Sequence, residues 1–334
     1  MRVRGIHYDI GTTTLDGSST RPTLERGQIE RELADIADGL HGNAVRITGG
    51  DLERLRFAGQ AAAGIGLQTW LSPMLPNADA ATTLEAIGHA AAIAEDLRAG
   101  GGNVVLVVGC EVSAFMAGII PGENQADRLA LLTDLPRLLA EVATQGFDPQ
   151  DRFDAFLTDA VAGARAQFAG PLTYASGTWE QVDWSRFDLA GIDAYRDAGN
   201  RDAYVAMLRA WMSHGKPLVI TEVGCATYRG SADLGSLAWT AVDRGAKPRR
   251  LKEGIDRDEV EQATEIVAVL DLIASSGAEG AFIYTYAAPS YPSSQEGPLD
   301  LDTASYALVR TWPDGTTERK AAFTAVADRY GRDG

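Results

Sequence analysis

Residues 216–228 read KPLVITEVGCATY. A run of apolar and β-branched side chains, Leu218 to Thr221 behind Pro217, stops at a carboxylate, Glu222. Unbroken runs of this kind suit parallel strands covered on both faces. A glutamate leaving such a strand is either a surface charge where the chain meets water or one member of a catalytic pair. The second option needs another carboxylate in an equivalent place.

Working outward, seven more strand-like runs appear: VRGIHYDI (3–10), NAVRIT (43–48), GIGLQTWLS (64–72), NVVLVVGCE (103–111), PLTYAS (171–176), LAGIDAY (189–195) and GAFIYTY (280–286). Helical patterns lie between them. LERGQIERELADIADGL puts Ile29, Leu33, Ile36 and Leu40 on one stripe. AATTLEAIGHAAAIAEDLRAG and DEVEQATEIVAVLDLIASSG end in glycine, as helix C-termini do. Two further helical patterns are expected near 126–145 and 150–168.

Strands alternating with helices over 334 residues predict an α/β chain, a (β/α)8 TIM barrel forming one domain, 1–334, with long βα loops after strands four, seven and eight. An open doubly wound sheet would want a glycine-rich phosphate turn after an early strand, and the glycines of DIGTTTLDG have the wrong spacing.

Composition narrows the function. With 46 acids against 30 bases the net charge is −16, which disfavours nucleic acid and anionic membranes and mildly favours neutral or cationic ligands, acidity for solubility alone being the simpler reading. No run of about 18 apolar residues reads as a membrane span. The opening MRVRGIHYDIG runs directly into a strand without a signal-peptide pattern, so a cytoplasmic location is expected. Cys110 and Cys225 make no disulfide framework.

In a barrel, chemistry sits at the C-terminal strand ends. Strand one delivers His7 and Asp9 there, strand two Arg46, strand three Trp70, and strand four Cys110 and Glu111. Strand five leads to Trp179, strand six supplies Asp193 and Tyr195, strand seven Glu222, and strand eight Tyr284 and Tyr286. Carboxylates, an arginine and aromatics on one rim fit a sugar pocket, in which rings stack on pyranose faces and carboxylates cleave the bond. Arg46 inside an apolar strand is costly unless a carboxylate pairs with it.

The order of these segments resembles the clan A glycoside hydrolases, retaining enzymes on (β/α)8 barrels. VVLVVGCEVS resembles that clan's strand-four segment and PLVITEVG its strand-seven segment, each ending on a glutamate. AVRIT resembles the strand-two segment whose arginine contacts the nucleophile, and LAGIDAY the strand-six segment that brings a tyrosine to it. DGTTERKAAFTAVADRY resembles the last helix. The resemblance implies Glu222 as nucleophile, kept ionised by Arg46 and Tyr195, and Glu111 as acid/base, with carboxyls roughly 5–5.5 Å apart. It implies a retaining glycosidase or transglycosidase; the missing signal-peptide pattern adds the expectation of a small glycoside, the net charge a cationic one and Cys110 a 2-modified one, with no cofactor or metal expected. The departures are Cys110, where the clan has an asparagine that holds the 2-hydroxyl, and the lack of a strand-eight tryptophan.

Other readings stay open. The two glutamates could be unrelated strand-end acids, and the Arg46 pair purely structural. The site could bind a ligand without turnover, since a thiol is a feeble donor, or run a lyase or isomerase reaction. His7-x-Asp9 as a metal start is disfavoured because His41, His89 and His214 fall outside strand ends. The cysteines read as inert thiols, and the basic segment 247–252 as a solvated loop rather than a lid.

Overall fold

The computed structural model describes residues 1–333. Eight barrel strands form: β1 (Val3–Gly11), β2 (Ala44–Gly49), β3 (Gln68–Pro73), β4 (Val104–Cys110), β5 (Leu172–Gly177), β6 (Ala190–Asp193), β7 (Leu218–Val223) and β8 (Gly280–Ile283). They close into a parallel barrel in the order β1-β8-β7-β6-β5-β4-β3-β2. Ten helices are α1 (Arg26–Ala34), α2 (Leu52–Gly64), α3 (Ala80–Ala99), α4 (Val112–Phe115), α5 (Gln125–Leu132), α6 (Leu135–Gln145), α7 (Pro149–Arg165), α8 (Tyr204–Met212), α9 (Glu259–Ser276) and α10 (Ala321–Gly331). No helix among the described residues is long and apolar enough to cross a membrane.

Why these segments take these forms is local chemistry. Val104 to Val108 of β4 are all buried, each such side chain contributing about 1.5–3 kcal/mol. Asp51, Asp79, Asn124, Asp134, Asp148 and Asp258 cap α2, α3, α5, α6, α7 and α9, their side chains accepting from the first-turn N–H groups. Part of the acidic excess is therefore spent on helix starts.

Three expectations need correction. The helix expected near 126–145 is two, because Asp134 caps a new helix with Pro136 in its first turn. The first helical stretch leaves α geometry at Ala34 and continues as a π-helix over Asp35–Gly39. The segment likened to the last helix contributes Thr317–Arg319 to a two-stranded hairpin with Val309–Thr311, and α10 starts only at Ala321.

Two compact units make up the chain. One comprises Met1–Asp9, Gly27–Arg46 and everything from Asp193 onward; the other comprises Ile10–Arg26 and Ile47–Ile192. In the first, the loops after β7 and β8 carry their own small core of Tyr228, Val242, Leu251, Leu301 and Tyr306. The buried Lys320 ammonium fastens the second of these loops, 3.0 Å from Asp302 and 3.1 Å from the Ser305 hydroxyl. The basic segment 247–252 forms half of a short hairpin, Val242–Asp243 against Arg250–Leu251.

Candidate active site

The first unit builds a carboxylate site at the end of β7. The β7–β8 register slips between Ala281↔Ile220 and Ile283↔Val223, so β7 holds one extra residue beside Glu222. Such bulges re-aim side chains at barrel rims. Arg46, fully buried on β2, donates from Nη1 to Glu222 Oε1 at 3.0 Å and to the Thr221 carbonyl at 3.1 Å. The same nitrogen lies 3.6 Å from Asp193 Oδ1, which also accepts the Thr221 hydroxyl at 2.7 Å. Tyr195 OH donates to Glu222 Oε2 at 3.2 Å. Burial, and then the charge of Glu222, hold that phenol well above its ordinary value, so it stays a donor.

Arg46 is therefore paired, as its place in an apolar strand requires. Glu222 itself behaves differently from the expectation that Arg46 and Tyr195 simply keep it ionised. Burial, and secondarily Asp193, push its carboxyl up to about 8, although Arg46 and Tyr195 pull it down. Two carboxylates flanking one guanidinium titrate as a pair. Within it Glu222 is the more accessible member. It has the shorter contact to Arg46, it accepts from Tyr195, and its side chain is 16% exposed against 1% for Asp193.

Aromatic rings border this carboxylate. Tyr306 stands edge-on to Tyr195 and to Tyr284, at centroid distances of 5.7 and 6.0 Å. Tyr284 packs 4.7 Å from His7. The Thr285 hydroxyl donates to the His7 carbonyl at 2.9 Å, so it accepts from His7 Nδ1 at 3.0 Å. Asp9 is buried on the same strand. Tyr286 is a correction: its hydroxyl donates to Asp35 at 2.9 Å and its ring faces Tyr8, which ties it to the helical layer. Cys225 is a buried thiol pushed up to about 12 by burial, and so is inert.

The second unit builds the surroundings of Glu111. Here too the strand is bulged, β4 carrying an extra residue between Val107↔Thr173 and Cys110↔Ala175. Gly109, at φ +151°, makes the kink; a Cβ there would lie 2.9 Å from Val112 and 3.0 Å from Tyr174. Glu111 follows in the left-handed region, φ 42° and ψ 47°, which is rare for a side-chain-bearing residue. Its N–H donates to the Ala175 carbonyl at 2.9 Å, and its own carbonyl receives the N–H of Ala114 and Phe115.

Beside this turn lies a group that the sequence did not single out. Glu180, buried in the β5–β6 connection, accepts from the Ser113 N–H at 3.0 Å and the Ser113 hydroxyl at 2.6 Å. It also accepts from Tyr174 OH at 2.9 Å and the Gly177 N–H at 3.0 Å. Burial outweighs these donors and pushes its carboxyl up to about 7. Tyr174 OH in turn accepts the Val112 N–H at 2.8 Å. Trp179, 46% exposed, donates its indole N–H to the Ser113 hydroxyl at 3.0 Å. Trp70 is a second correction, since at 1% exposure it is core and offers no stacking face. Cys110 is buried beside Glu111.

The site residues of the first unit that the structure gathers are thus His7, Arg46, Asp193, Tyr195, Glu222 and Tyr284, with Thr285 and Tyr306 as additions. In the second unit Glu111 gains Ser113, Tyr174 and Glu180. The signal for Glu180 was an acid directly after Trp179 in the short link GTWEQ.

No protein-family profile matches the chain, and no curated protein matches it by sequence. Solved structures do. A GH113 β-1,4-mannanase superposes with TM-score 0.65 at 16% identity over 99% of both chains. The GH113 β-mannanase from Alicyclobacillus acidocaldarius, in complex with ManMIm, gives 0.60 at 15% identity over 99% of this chain and 98% of its own. A Bacteroides uniformis β-glucuronidase gives 0.59 at 12% identity, covering this whole chain but 35% of its own. At these identities the likeness is one of fold: the chain has the closed (β/α)8 barrel seen in these glycosidases.

Proposed function

We propose that this chain is a retaining glycoside hydrolase or transglycosidase acting on a small glycoside, with Glu222 as nucleophile and Glu111 as acid/base. The observation that carries the reading is the clamp on Glu222: a buried arginine on one carboxylate oxygen and a neutral tyrosine on the other, at a bulged strand end. A carboxylate so held presents a fixed lone pair to an anomeric carbon. Glu222 displaces the leaving oxygen while Glu111 protonates it, giving a glycosyl ester and the free aglycone. Glu111, now ionised, takes a proton from water or an acceptor hydroxyl, which attacks the anomeric carbon and releases Glu222. The charge that leaves Glu222 on ester formation removes its repulsion with Asp193, while Arg46 remains paired with Asp193. The reading requires the two units to act as one catalytic domain, in solution and without a nucleic acid partner.

The first test is a panel of aryl β-mannosides and β-glucosides, with proton NMR of the first-formed sugar. Retention of the β anomer is expected. The accompanying variant is Glu111→Ala, which should lose about 100-fold or more on unactivated aglycones, where acid catalysis matters, and far less on dinitrophenyl glycosides. Inversion, or an equal loss on both substrates, would remove the assignment.

Cys110 favours one second reading, a barrel that binds sugar without efficient turnover. A thiol beside Glu111 cannot replace a carboxamide as a hydrogen-bond donor. Tight binding of glycosides without product release would select it.

A further inference from the structure

The Glu111 main chain is held in a conformation that it would not choose alone. A left-handed residue between a bulge and a one-turn helix needs surrounding contacts to determine it. The contacts at hand converge on one side chain. Glu180 receives the N–H and the hydroxyl of Ser113, two residues past Glu111, and the N–H of Gly177 at the end of β5. It also receives the hydroxyl of Tyr174, which itself receives the N–H of Val112. Both residues that follow Glu111 are therefore bonded into this one network. The ring of Tyr174 also lies 3.0 Å from where a Cβ on Gly109 would stand, so the two flanks of the turn meet the same residue.

We propose that Glu180 is the positioning residue for Glu111: its buried carboxylate fixes the turn from which the acid/base side chain projects. This rests on the reading of Glu111 given above. A buried carboxylate is expensive to keep, and a structural turn has cheaper acceptors. The bonds to Ser113 also reach the exposed indole of Trp179 through the Ser113 hydroxyl, so the acid/base turn and this ring share one anchor. A carboxyl pushed up to about 7 stays in exchange with its proton near neutrality, yet either form can accept from the two N–H groups.

The test is Glu180→Ala, with Glu180→Gln and Tyr174→Phe beside it, each compared with Glu111→Ala on two substrates that share a sugar. One substrate carries a dinitrophenyl leaving group, the other an unactivated alkyl group. Loss of acid/base placement lowers kcat/KM, which reports the glycosylation step, by about 100-fold on the alkyl glycoside and by about threefold or less on the dinitrophenyl glycoside. Glu180→Gln, which keeps one acceptor oxygen, should fall between wild type and Glu180→Ala. If Glu180→Ala does not fold, Tyr174→Phe carries the test, with the same split at about tenfold. Equal losses on the two substrates in a folded variant, or no loss, would overturn the proposal while Glu111→Ala still shows the split. If Glu111→Ala shows no split, the acid/base reading itself has failed, and the positioning role with it.

Discussion

The two glutamates stand on strand ends that are built differently. At Glu222 the side chain is fixed: an arginine and a tyrosine grip its two oxygens, and a second carboxylate shares the arginine. At Glu111 it is the main chain that the structure pins, through a bulge, a left-handed residue and the donors gathered by Glu180. The difference matches what each would do. A nucleophile must present a lone pair in one direction and keep its charge, which ion pairs regulate. An acid/base changes protonation twice per turnover and has to be aimed at the same oxygen in both states, which a pinned turn provides.

Substitutions sharpen that contrast in order of expected effect. Glu222→Ala should cost about four orders of magnitude or more in kcat on every glycoside, because it removes the oxygen on which the ester forms. Arg46→Met should act on folding as well as rate. It leaves Asp193 and Glu222 buried without their cation, a loss of about 3–5 kcal/mol in urea unfolding. Unchanged stability would mean that the pair is not what holds this region. Tyr195→Phe removes one bond to a carboxylate and should lower kcat/KM by roughly 10- to 100-fold.

A pH profile reads the same pair. Glu222 must be ionised to attack, and its carboxyl is raised, so kcat/KM should climb as pH rises toward about 8. Asp193 raises Glu222, so Asp193→Asn should move the acid limb to lower pH; an unmoved limb would separate Asp193 from the nucleophile. The smallest effect is expected at Cys110, where alanine should change kcat by about threefold at most, given how weakly a thiol donates.

Much of the barrel was legible because parallel strands buried on both faces leave unbroken Val and Ile runs, as in β4 and β7. Arg46 announced a partner by standing in such a run. Both bulges were invisible, since a register slip depends on the neighbouring strand and leaves only a glycine, Gly109, as a trace in β4. Trp70 was misjudged because a strand pattern assigns a face and not what packs over it, and Tyr286 because it lies past the end of β8, where alternation no longer holds. Glu180 lies in a connection without periodicity, so only the fold reveals that five donors converge on it.

The account stands most directly on which carboxylate carries the sugar. Incubation with 2-deoxy-2-fluoro glycosyl fluorides of the manno and gluco series, followed by intact mass and peptide mapping, reads this without turnover. One fluoroglycosyl adduct on Glu222, absent in Glu222→Gln, is the result expected. An adduct on another residue, or fast hydrolysis of glycosides by a chain that never forms one, would contradict it.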